Sequence, residues 1–265
     1  MPTTTVLEAP VYPVLKDKVA LITGAAQGLG KAAAEAFVKA GAKVVICDIK
    51  EAEGQAVAEE LSALGEISFV RADIAKSEDV QNLIAETVKR HGRLDAAVNN
   101  AAMTPDKGML TNFDEDYWEK LTSTNLTGTA LCCKYEMKQM MKQADGKGTI
   151  VNISSAGALR PQLNMPAYCT TKEALLGLTK YAALEGGPHG IRVNAIAPGP
   201  IYSEMLASAL QIMGTTEEEF TRTSSTLNRF GLDHEVAQGT LWLSSEGSSY
   251  VTGVCLPIDG GYALK

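Results

Sequence analysis

The sequence predicts an α/β protein, folded as a single domain with a doubly wound, mainly parallel sheet and helices on both faces. From residue 18 onward, short β-branched and apolar runs alternate with segments of helical periodicity, the pattern of strands joined by crossover helices. No mid-chain linker and no internal repeat interrupts this alternation. A chain of 265 residues can form one large core, and we expect one domain over residues 17–265.

The first half of the chain predicts four strands and three helices. The run at 19–23, apolar except for Thr23, is typical of a buried strand. Gly41 is predicted to end the first helix. Ser77 is predicted as an N-cap, with Glu78 and Asp79 in the first turn of its helix. The predicted strands are 19–23, 43–47, 67–71 and 94–98, and the predicted helices are 29–40, 51–64 and 77–91.

The second half continues the alternation. It predicts a long helix or helix pair at 114–143, a strand at 149–153, a helix at 167–184, a strand at 191–196, two or three helical stretches between 203 and 244, and a last strand at 254–258. Ligands of doubly wound sheets bind beyond the carboxyl ends of the strands, near the switch in strand order. Residues that follow strands are therefore the candidates for a site.

Charge and composition exclude several classes of function. The formal net charge is −7 and no basic stripe occurs, so we expect no nucleic-acid or membrane partner. The five cysteines include no Cys-x-x-Cys pair, which indicates reduced thiols in a cytoplasmic protein, and the three histidines match no metal spacing. Residues 1–16 carry no export signal and are predicted to be a flexible extension, with an arm packed on a neighbouring subunit as the alternative.

A glycine-rich turn follows the first strand. Its glycines would let backbone N–H groups approach a pyrophosphate, which the positive end of the next helix also attracts. The complete strand–helix–strand context strengthens a motif that is weak alone. The turn reads Thr23-Gly24-Ala25-Ala26-Gln27-Gly28-Leu29-Gly30.

Polar residues after the next strands fit the rest of a dinucleotide. Asp48, 18 residues after Gly30, can accept hydrogen bonds from both hydroxyls of an adenosine ribose, and this favours NAD over NADP. Asp73 stands where an adenine ring would lie, although a simple turn acid explains it nearly as well. Asn100 and Ala101 follow the fourth strand, where a purely structural tie is the alternative for Asn100.

Four residues in the middle of the chain suggest catalysis. Tyr168 and Lys172 are four apart on a predicted helix, so they share a face, and a nearby ammonium favours phenolate. Ser155 follows a strand and can donate to a substrate oxygen, with Ser154 as a competitor. Asn125 lies inside a predicted helix, where a buried amide could hold a water next to Lys172.

The ordered set of motifs resembles the short-chain dehydrogenase/reductase family, whose fold is Rossmann-like. It comprises Thr23-Gly-x-x-x-Gly28-x-Gly30, Asn99-Asn100-Ala101, Asn125, Ser155, Tyr168-x-x-x-Lys172 and Pro198-Gly199, and spans about residues 16–262. Each motif is weak, but the set in this order is specific. Ala102 replaces the family's usual Gly, and Ser203 its usual Thr.

The resemblance implies a catalytic tetrad and a cofactor site. Tyr168 would be the proton donor and acceptor, Lys172 would hold the nicotinamide ribose and lower the pKa of the tyrosine, Ser155 would orient the substrate, and Asn125 would hold a relay water. Ile201 would meet the nicotinamide amide through its backbone. The implied cofactor contacts are Gly24, Gln27, Gly28, Leu29, Gly30, Asp48, Asp73, Ile74, Asn100, Ala101, Tyr168, Lys172, Pro198, Gly199, Ile201 and Ser203.

The expected reaction is the NAD-dependent interconversion of a secondary alcohol and a ketone. Family members that catalyse epimerisation or dehydration with tightly held cofactor, and a non-catalytic nucleotide-binding regulator, are the alternatives. The intact Ser155, Tyr168 and Lys172 argue against the regulator, because a pure binder has no need of a poised phenol.

The substrate is expected to be a small, apolar and cyclic alcohol or ketone, because nearly all predicted pocket residues are apolar. They are Ala102, Met103, Ala156, Leu159, Leu163, Tyr202, Met205 and Leu206, with Arg160 read as a solvent-facing exception. Residues 203–226 resemble a mobile lid. A homotetramer is expected, because the helix at 114–143 carries apolar residues beyond the need of one sheet face: Leu121, Leu126, Leu131, Met137 and Met141.

Overall fold

A computed structural model describes residues 14–203, 206, 210 and 215–265. The strands are β1 Val19–Thr23, β2 Lys43–Asp48, β3 Ile67–Arg71, β4 Ala96–Asn99, β5 Gly148–Ile153, β6 Ile191–Pro198 and β7 Cys255–Ile258. The α-helices are α1 Gly28–Lys39, α2 Glu51–Leu61, α3 Ser77–His91, α4 Glu115–Thr122, α5 Thr129–Lys142, α6 Pro166–Gly186, α7 Glu217–Ser224 and α8 Asp233–Ser244.

The seven strands form one sheet in the order β3-β2-β1-β4-β5-β6-β7, and every pair is parallel. Strand order reverses between β1 and β4, where Ala20 lies between Val44 of β2 and Ala96 of β4. The segments that follow β1 and β4 turn to opposite faces of the sheet, which opens a crevice at the carboxyl ends of these two strands. The predicted doubly wound fold is confirmed.

Helices cover both faces of the sheet, because successive side chains of a strand point in opposite directions. Ala20 and Ile22 of β1 pack in one core cluster with residues of α1, α2 and α8, including Phe37. Leu21, between them, packs in the other cluster with residues of α3, α5 and α6. The central strands are buried on both sides, which explains their mainly apolar sequences.

The predicted helix at 114–143 is divided by a π-helical turn, Ser123–Gly128, between α4 and α5. Leu121 and Met137, expected to add apolar surface, are instead buried within the chain. Ser77 is also not an N-cap: it is the first residue of α3, and its hydroxyl bonds the Tyr135 hydroxyl at 2.8 Å. α2 ends at Leu61, three residues before its predicted end.

The predicted extension of residues 1–16 overlaps the folded domain at its end. Leu15 is only 2 % exposed, belongs to the core cluster beneath α1, and its N–H donates to the Ala40 carbonyl. Residues 1–13 lie outside the described residues, so flexibility there stays a prediction. Among the described residues, no helix is long and apolar enough to cross a membrane.

Candidate active site

The turn between β1 and α1 forms the floor of a cleft at the carboxyl ends of the strands. Gly24 has a φ of +66°, and a Cβ there would lie 2.5 Å from the Ala101 backbone, so only glycine fits. Gly28 has a φ of +55°, but a Cβ there would meet nothing within 4 Å. Gly28 therefore borders open space, which lets a ligand approach its backbone.

Gly30 lies beneath the glycine turn. A Cβ on Gly30 would lie 2.3 Å from the Gly24 carbonyl oxygen and 2.6 Å from the Asn100 amide nitrogen. This glycine packs α1 against the turn and does not line the cleft. It supports the glycine turn from below, and a cofactor contact by Gly30 stays a prediction.

Asp48 stands at the end of β2 with its carboxylate held in place. One oxygen accepts the N–H of Ala26 at 3.1 Å, and the other accepts the N–H of Lys50 at 3.0 Å. The Lys50 ammonium donates to the Gln27 side-chain oxygen at 3.0 Å instead of pairing with Asp48. The carboxylate is thus fixed beside the glycine turn without a neutralising cation from Lys50.

Asp73 and Asn100 both line the cleft and both have structural partners. Asp73 accepts the N–H of Ala75 at 3.1 Å, the geometry of a turn acid. The Asn100 amide donates to the carbonyl oxygens of Thr23 at 3.1 Å and Gly24 at 2.9 Å. Asn100 therefore ties the end of β4 to the glycine turn, the structural alternative considered for it.

Lys172, on α6, is tied to the end of β5. Its ammonium donates to the Ile153 carbonyl at 2.8 Å, and its own carbonyl accepts the Ser154 hydroxyl at 2.7 Å. These bonds occupy Ser154, which is buried. The next residue, Ser155, lines the cleft with its hydroxyl oxygen accepting the N–H of Gly157 at 3.1 Å. Both serines line the cleft, but the hydroxyl proton of Ser154 is used by the bond to Lys172, whereas Ser155 acts as an acceptor in its bond to Gly157.

The Tyr168 phenol lines the same cleft, and the Lys172 ammonium lies 5.7 Å from the centre of its ring. Burial raises the pKa of Tyr168 above its ordinary value, while the neighbouring Ser155 hydroxyl acts to lower it. Burial also lowers the pKa of Lys172 to about 8. Burial is the largest effect on the pKa of Tyr168, and the lowering of that pKa by Lys172 stays a prediction.

Asn125 is fully buried in the π-helical turn. Its side-chain oxygen accepts the N–H of Met103 at 2.8 Å, which holds the segment after β4. Its amide nitrogen has no hydrogen-bond partner among the described residues. The π-turn thus places a free amide donor in the interior, bonded through its own oxygen to Met103, which lines the cleft.

The cleft has a volume of about 970 Å³ and gathers most of the predicted site. The predicted residues that line it are Gly24, Gln27, Gly28, Leu29, Asp48, Asp73, Ile74, Asn100, Ala101, Ala102, Met103, Ser155, Tyr168, Lys172, Pro198, Gly199 and Ile201. Sequence reasoning missed other lining residues, among them Lys50, Glu119, Lys120, Ser123 and Thr124. The last four lie on α4 and the π-turn, and no motif marks them.

Several predicted substrate residues lie outside this cleft. Leu163 is 79 % exposed, Leu159 and Tyr202 are partly exposed, and Ala156 is buried in the turn after Ser155. Leu206 does not line the cleft, and Met205 lies outside the described residues.

Two further polar residues make local contacts: Ser203, predicted to contact the cofactor, and Arg160, predicted to face solvent. The Ser203 hydroxyl accepts the N–H of Leu206 at 3.1 Å. The Arg160 guanidinium stacks 5.0 Å from the centre of the Tyr262 ring and donates to its carbonyl at 3.4 Å. Arg160 is thus neither free in solvent nor directed into the cleft.

Comparison with known proteins agrees with this geometry. Residues 24–263 match the protein family described as "Enoyl-(Acyl carrier protein) reductase". A short chain dehydrogenase/reductase of Aspergillus oryzae is 43 % identical over 252 residues, which cover 94 % of this chain and 96 % of that protein.

The chain belongs to the short-chain dehydrogenase/reductase family.

Two further relatives extend the comparison. A 2,5-dichloro-2,5-cyclohexadiene-1,4-diol dehydrogenase of Sphingobium indicum is 38 % identical over 94 % of this chain and 98 % of that protein. The structure of an NAD⁺-bound xylitol dehydrogenase superposes with a TM-score of 0.88 at 27 % identity, covering 93 % and 99 % of the two chains. As a short-chain dehydrogenase/reductase, the chain is an oxidoreductase that acts on alcohol- or ketone-type substrates. Members of this family use NAD or NADP as the cofactor.

Asp106 is a residue of this dehydrogenase/reductase site that no sequence pattern marked. It lies in the loop after β4, is buried, and caps α6 from 61 residues away. Its two carboxylate oxygens accept the N–H of Ala167 at 3.0 Å and of Tyr168 at 2.9 Å. Since these N–H groups have no partner within α6, Asp106 fixes the helix turn that carries Tyr168.

Replacing Asp106 should therefore lower both stability and turnover. Asp106→Ala leaves two N–H groups of α6 unpaired, and we expect a loss of roughly 1–2 kcal/mol in the free energy of unfolding. A displaced Tyr168 should also reduce kcat by roughly tenfold or more. Denaturant unfolding and steady-state kinetics measure the two effects.

The matched control is Asp114→Ala, which removes the carboxylate that caps α4 through the Tyr117 N–H. This variant should lose similar stability with little loss of kcat. Equal kcat values for the two alanine variants would contradict a positioning role for Asp106.

Proposed function

We propose that the protein is an NAD-dependent oxidoreductase that interconverts a secondary alcohol and a ketone by hydride transfer, with Tyr168 as general acid and base. The observation that carries this proposal is the convergence of Ser155, Tyr168 and Lys172 in the same cleft as the glycine turn and Asp48. One cleft thus joins groups suited to a dinucleotide with groups suited to a carbonyl oxygen.

The residues of the cleft fit a dinucleotide. Gly28 borders open space at the N-terminus of α1, where backbone N–H groups and the helix dipole favour a pyrophosphate. Asp48 is fixed where it can bind the hydroxyls of an adenosine ribose, and Lys172 would hold the second ribose. When bound, the cofactor supplies the acceptor or donor of the hydride.

Residues of the protein transfer the proton of the substrate hydroxyl. Tyr168 takes the proton of the alcohol, or gives it to the ketone oxygen, and Ser155 donates a hydrogen bond to that oxygen as charge builds on it. Burial opposes the phenolate, so Tyr168 depends on positive charge beside it: the Lys172 ammonium and an oxidised nicotinamide ring. We assign the free amide of Asn125 to a water that passes the proton onward.

The substrate class is a small, largely apolar and cyclic alcohol or ketone. Ala102 and Met103 bring apolar surface to the cleft beside Ser155 and Tyr168, and methionine adapts to irregular shapes. The Sphingobium relative, named for a cyclic diol, supports this choice. We also propose a cytoplasmic location, which the free thiols of all five cysteines favour.

Activity is tested with a panel of cyclic and acyclic secondary alcohols and ketones, followed by NADH absorbance. We expect turnover by the wild type, strongest with apolar cyclic members. Tyr168→Phe should lower kcat by about 10²–10⁴-fold, because general acid–base catalysis contributes about that much, while NAD affinity stays unchanged.

Tyr181→Phe, on the exposed side of the same helix, is the control and should keep full activity. Substantial kcat in Tyr168→Phe would show that another group moves the proton. A preference for charged hydroxy acids over cyclic ketones would contradict the substrate class.

Cofactor preference should follow the charge of Asp48. A 2′-phosphate would lie against the Asp48 carboxylate, and like charges in contact typically cost several kcal/mol. We expect kcat/KM with NAD to exceed that with NADP at least about tenfold, and Asp48→Ser to narrow the ratio. Asp73→Ser, at the end of the neighbouring strand, should leave the ratio unchanged. Equal kcat/KM values for the two cofactors in the wild type would refute this preference.

We propose a homotetramer as the assembled form. α6 leaves Tyr181 and Leu184 67 % and 76 % exposed, and Tyr250 and Leu264 are exposed near the C-terminal strand, so two segments of the chain carry apolar side chains that an assembly would cover. Two isologous contacts on one chain build a tetramer. Light scattering at micromolar concentration should give four chain masses for the wild type and a smaller assembly for Leu184→Glu. A monomeric wild type would contradict the proposal.

A further inference from the structure

A fully buried carboxyl group lies beneath the active site and has no part in the mechanism above. Glu136, on α5, is 0 % exposed. Among the described residues, no lysine, arginine or histidine forms an ion pair with it. An isolated buried carboxylate is costly, so an acid in this position needs an explanation.

Glu136 belongs to a chain of buried amides. One of its carboxyl oxygens, Oε2, accepts a hydrogen bond from Asn99 Nδ2 at 3.0 Å. The same Nδ2 donates to Asn152 Oδ1 at 3.0 Å, and Asn152 Nδ2 donates to Thr179 Oγ1 at 3.0 Å. These bonds fix the orientation of both amides, with nitrogen and oxygen assigned by the partners they meet.

Two oxygens of this network have no partner among the described residues: Glu136 Oε1 and Asn99 Oδ1. The Glu136 carboxyl and the Asn99 amide are already joined by the bond from Nδ2 to Oε2. The two oxygens without a partner therefore belong to side chains that are in direct contact. Both are acceptors when Glu136 is ionised, so neither can satisfy the other. A proton on Oε1 converts it into a donor for Oδ1, and a protonated carboxyl and an amide then pair through two parallel hydrogen bonds.

We propose that Glu136 is a neutral carboxylic acid whose proton bonds Asn99 Oδ1, and that this acid–amide pair positions the strand ends that carry the active site. It is a positioning residue and not a catalytic one. The effect of this positioning on turnover rests on the function proposed above. The protonation state of Glu136 does not depend on that function.

The network reaches the site through adjacent residues. Asn99 immediately precedes Asn100, which holds the glycine turn, and Asn152 immediately precedes Ile153, whose carbonyl holds Lys172. Thr179 lies on α6, the helix of Lys172. One buried acid therefore braces β4 and β5 at the points where each presents a residue to the cleft, and the network joins both strands to α6 at Thr179.

The surroundings of Glu136 favour the proton. The titratable groups that face it are the thiols of Cys47 on β2 and of Cys132 and Cys133 on α5. Burial raises the pKa of each of these thiols, so they stay neutral. From β4 it is faced by Asn99, and the groups that this amide reaches on β5 and α6, Asn152 and Thr179, carry no charge either. Burial raises the pKa of Glu136 from 4.5 to about 7, while the bond from Asn99 acts to lower it.

The direction of the pH effect follows from this raised pKa. The unfolded chain releases the Glu136 proton near pH 4.5, and the folded protein releases it near pH 7. The stability due to the protonated acid is therefore full below about pH 4.5 and is lost as the pH rises through about 7. Glu136→Gln has an N–H donor in place of the acidic proton and cannot ionise, so it should not show this loss.

The experiment compares wild type, Glu136→Gln and Glu136→Leu, with Glu59→Gln on the exposed face of α2 as the control. Tm and kcat are measured from about pH 5 to about pH 9. Relative to Glu136→Gln, the wild-type Tm should fall by several degrees as the pH rises through about 7, and the kcat ratio of Glu136→Gln to wild type should rise over the same range. Glu59→Gln should follow the wild type, and Glu136→Leu should lose stability at every pH.

A difference in Tm between wild type and Glu136→Gln that is constant over this pH range would overturn the protonated acid. So would a glutamine variant as unstable as the leucine variant. If Tm follows the expectation but Glu136→Leu keeps wild-type kcat at a temperature where both are folded, the positioning role is wrong. If the wild type turns over no member of the substrate panel, the proposed function fails, and the Tm curves still decide the state of Glu136.

Discussion

Lys172 is joined to the end of β5 by two hydrogen bonds, and the geometry of the active site depends on them. The ammonium binds the Ile153 carbonyl, and the Lys172 carbonyl binds the Ser154 hydroxyl. Because Ser155 is the next residue of the chain and Tyr168 lies one helical turn before Lys172, these bonds bring the hydroxyl, the phenol and the ammonium to one wall of the cleft. A buried ammonium with a single carbonyl partner is costly, which its lowered pKa reflects.

The remainder of the fold delivers a nucleotide site to the opposite wall. Strand order reverses between β1 and β4, so the glycine turn after β1 and the Asn100 segment after β4 meet at the crevice, where Asn100 binds both Thr23 and Gly24. The carboxyl ends of the parallel strands thus carry both the nucleotide site and the Ser155, Tyr168 and Lys172 group. Polar groups buried just below that edge, including Glu136, stabilise it where the backbone alone cannot.

The fold and most of the site could be predicted from the sequence because their signals are local. Strand and helix periods, the glycine turn and the Tyr168–Lys172 spacing are each readable within a few residues. Asp106 could not be found, since it caps α6 across 61 residues and only the fold brings it there. Leu163, predicted to line the substrate pocket, lies outside the cleft for a similar reason. Leu163 is apolar, yet the loop after Ser155 turns it to solvent, and no periodicity reports the direction of a loop side chain.

The central claim is that this site transfers a hydride between a substrate carbon and the nicotinamide. The most direct test uses the best alcohol of the substrate panel, labelled with deuterium on the carbon that bears the hydroxyl, together with NAD. Mass spectrometry of the reduced cofactor should find one deuterium per molecule formed, with none released to water. Deuterium returned to a rearranged product without accumulation of reduced cofactor, or lost to solvent, would contradict the account and favour epimerisation or dehydration on the same fold.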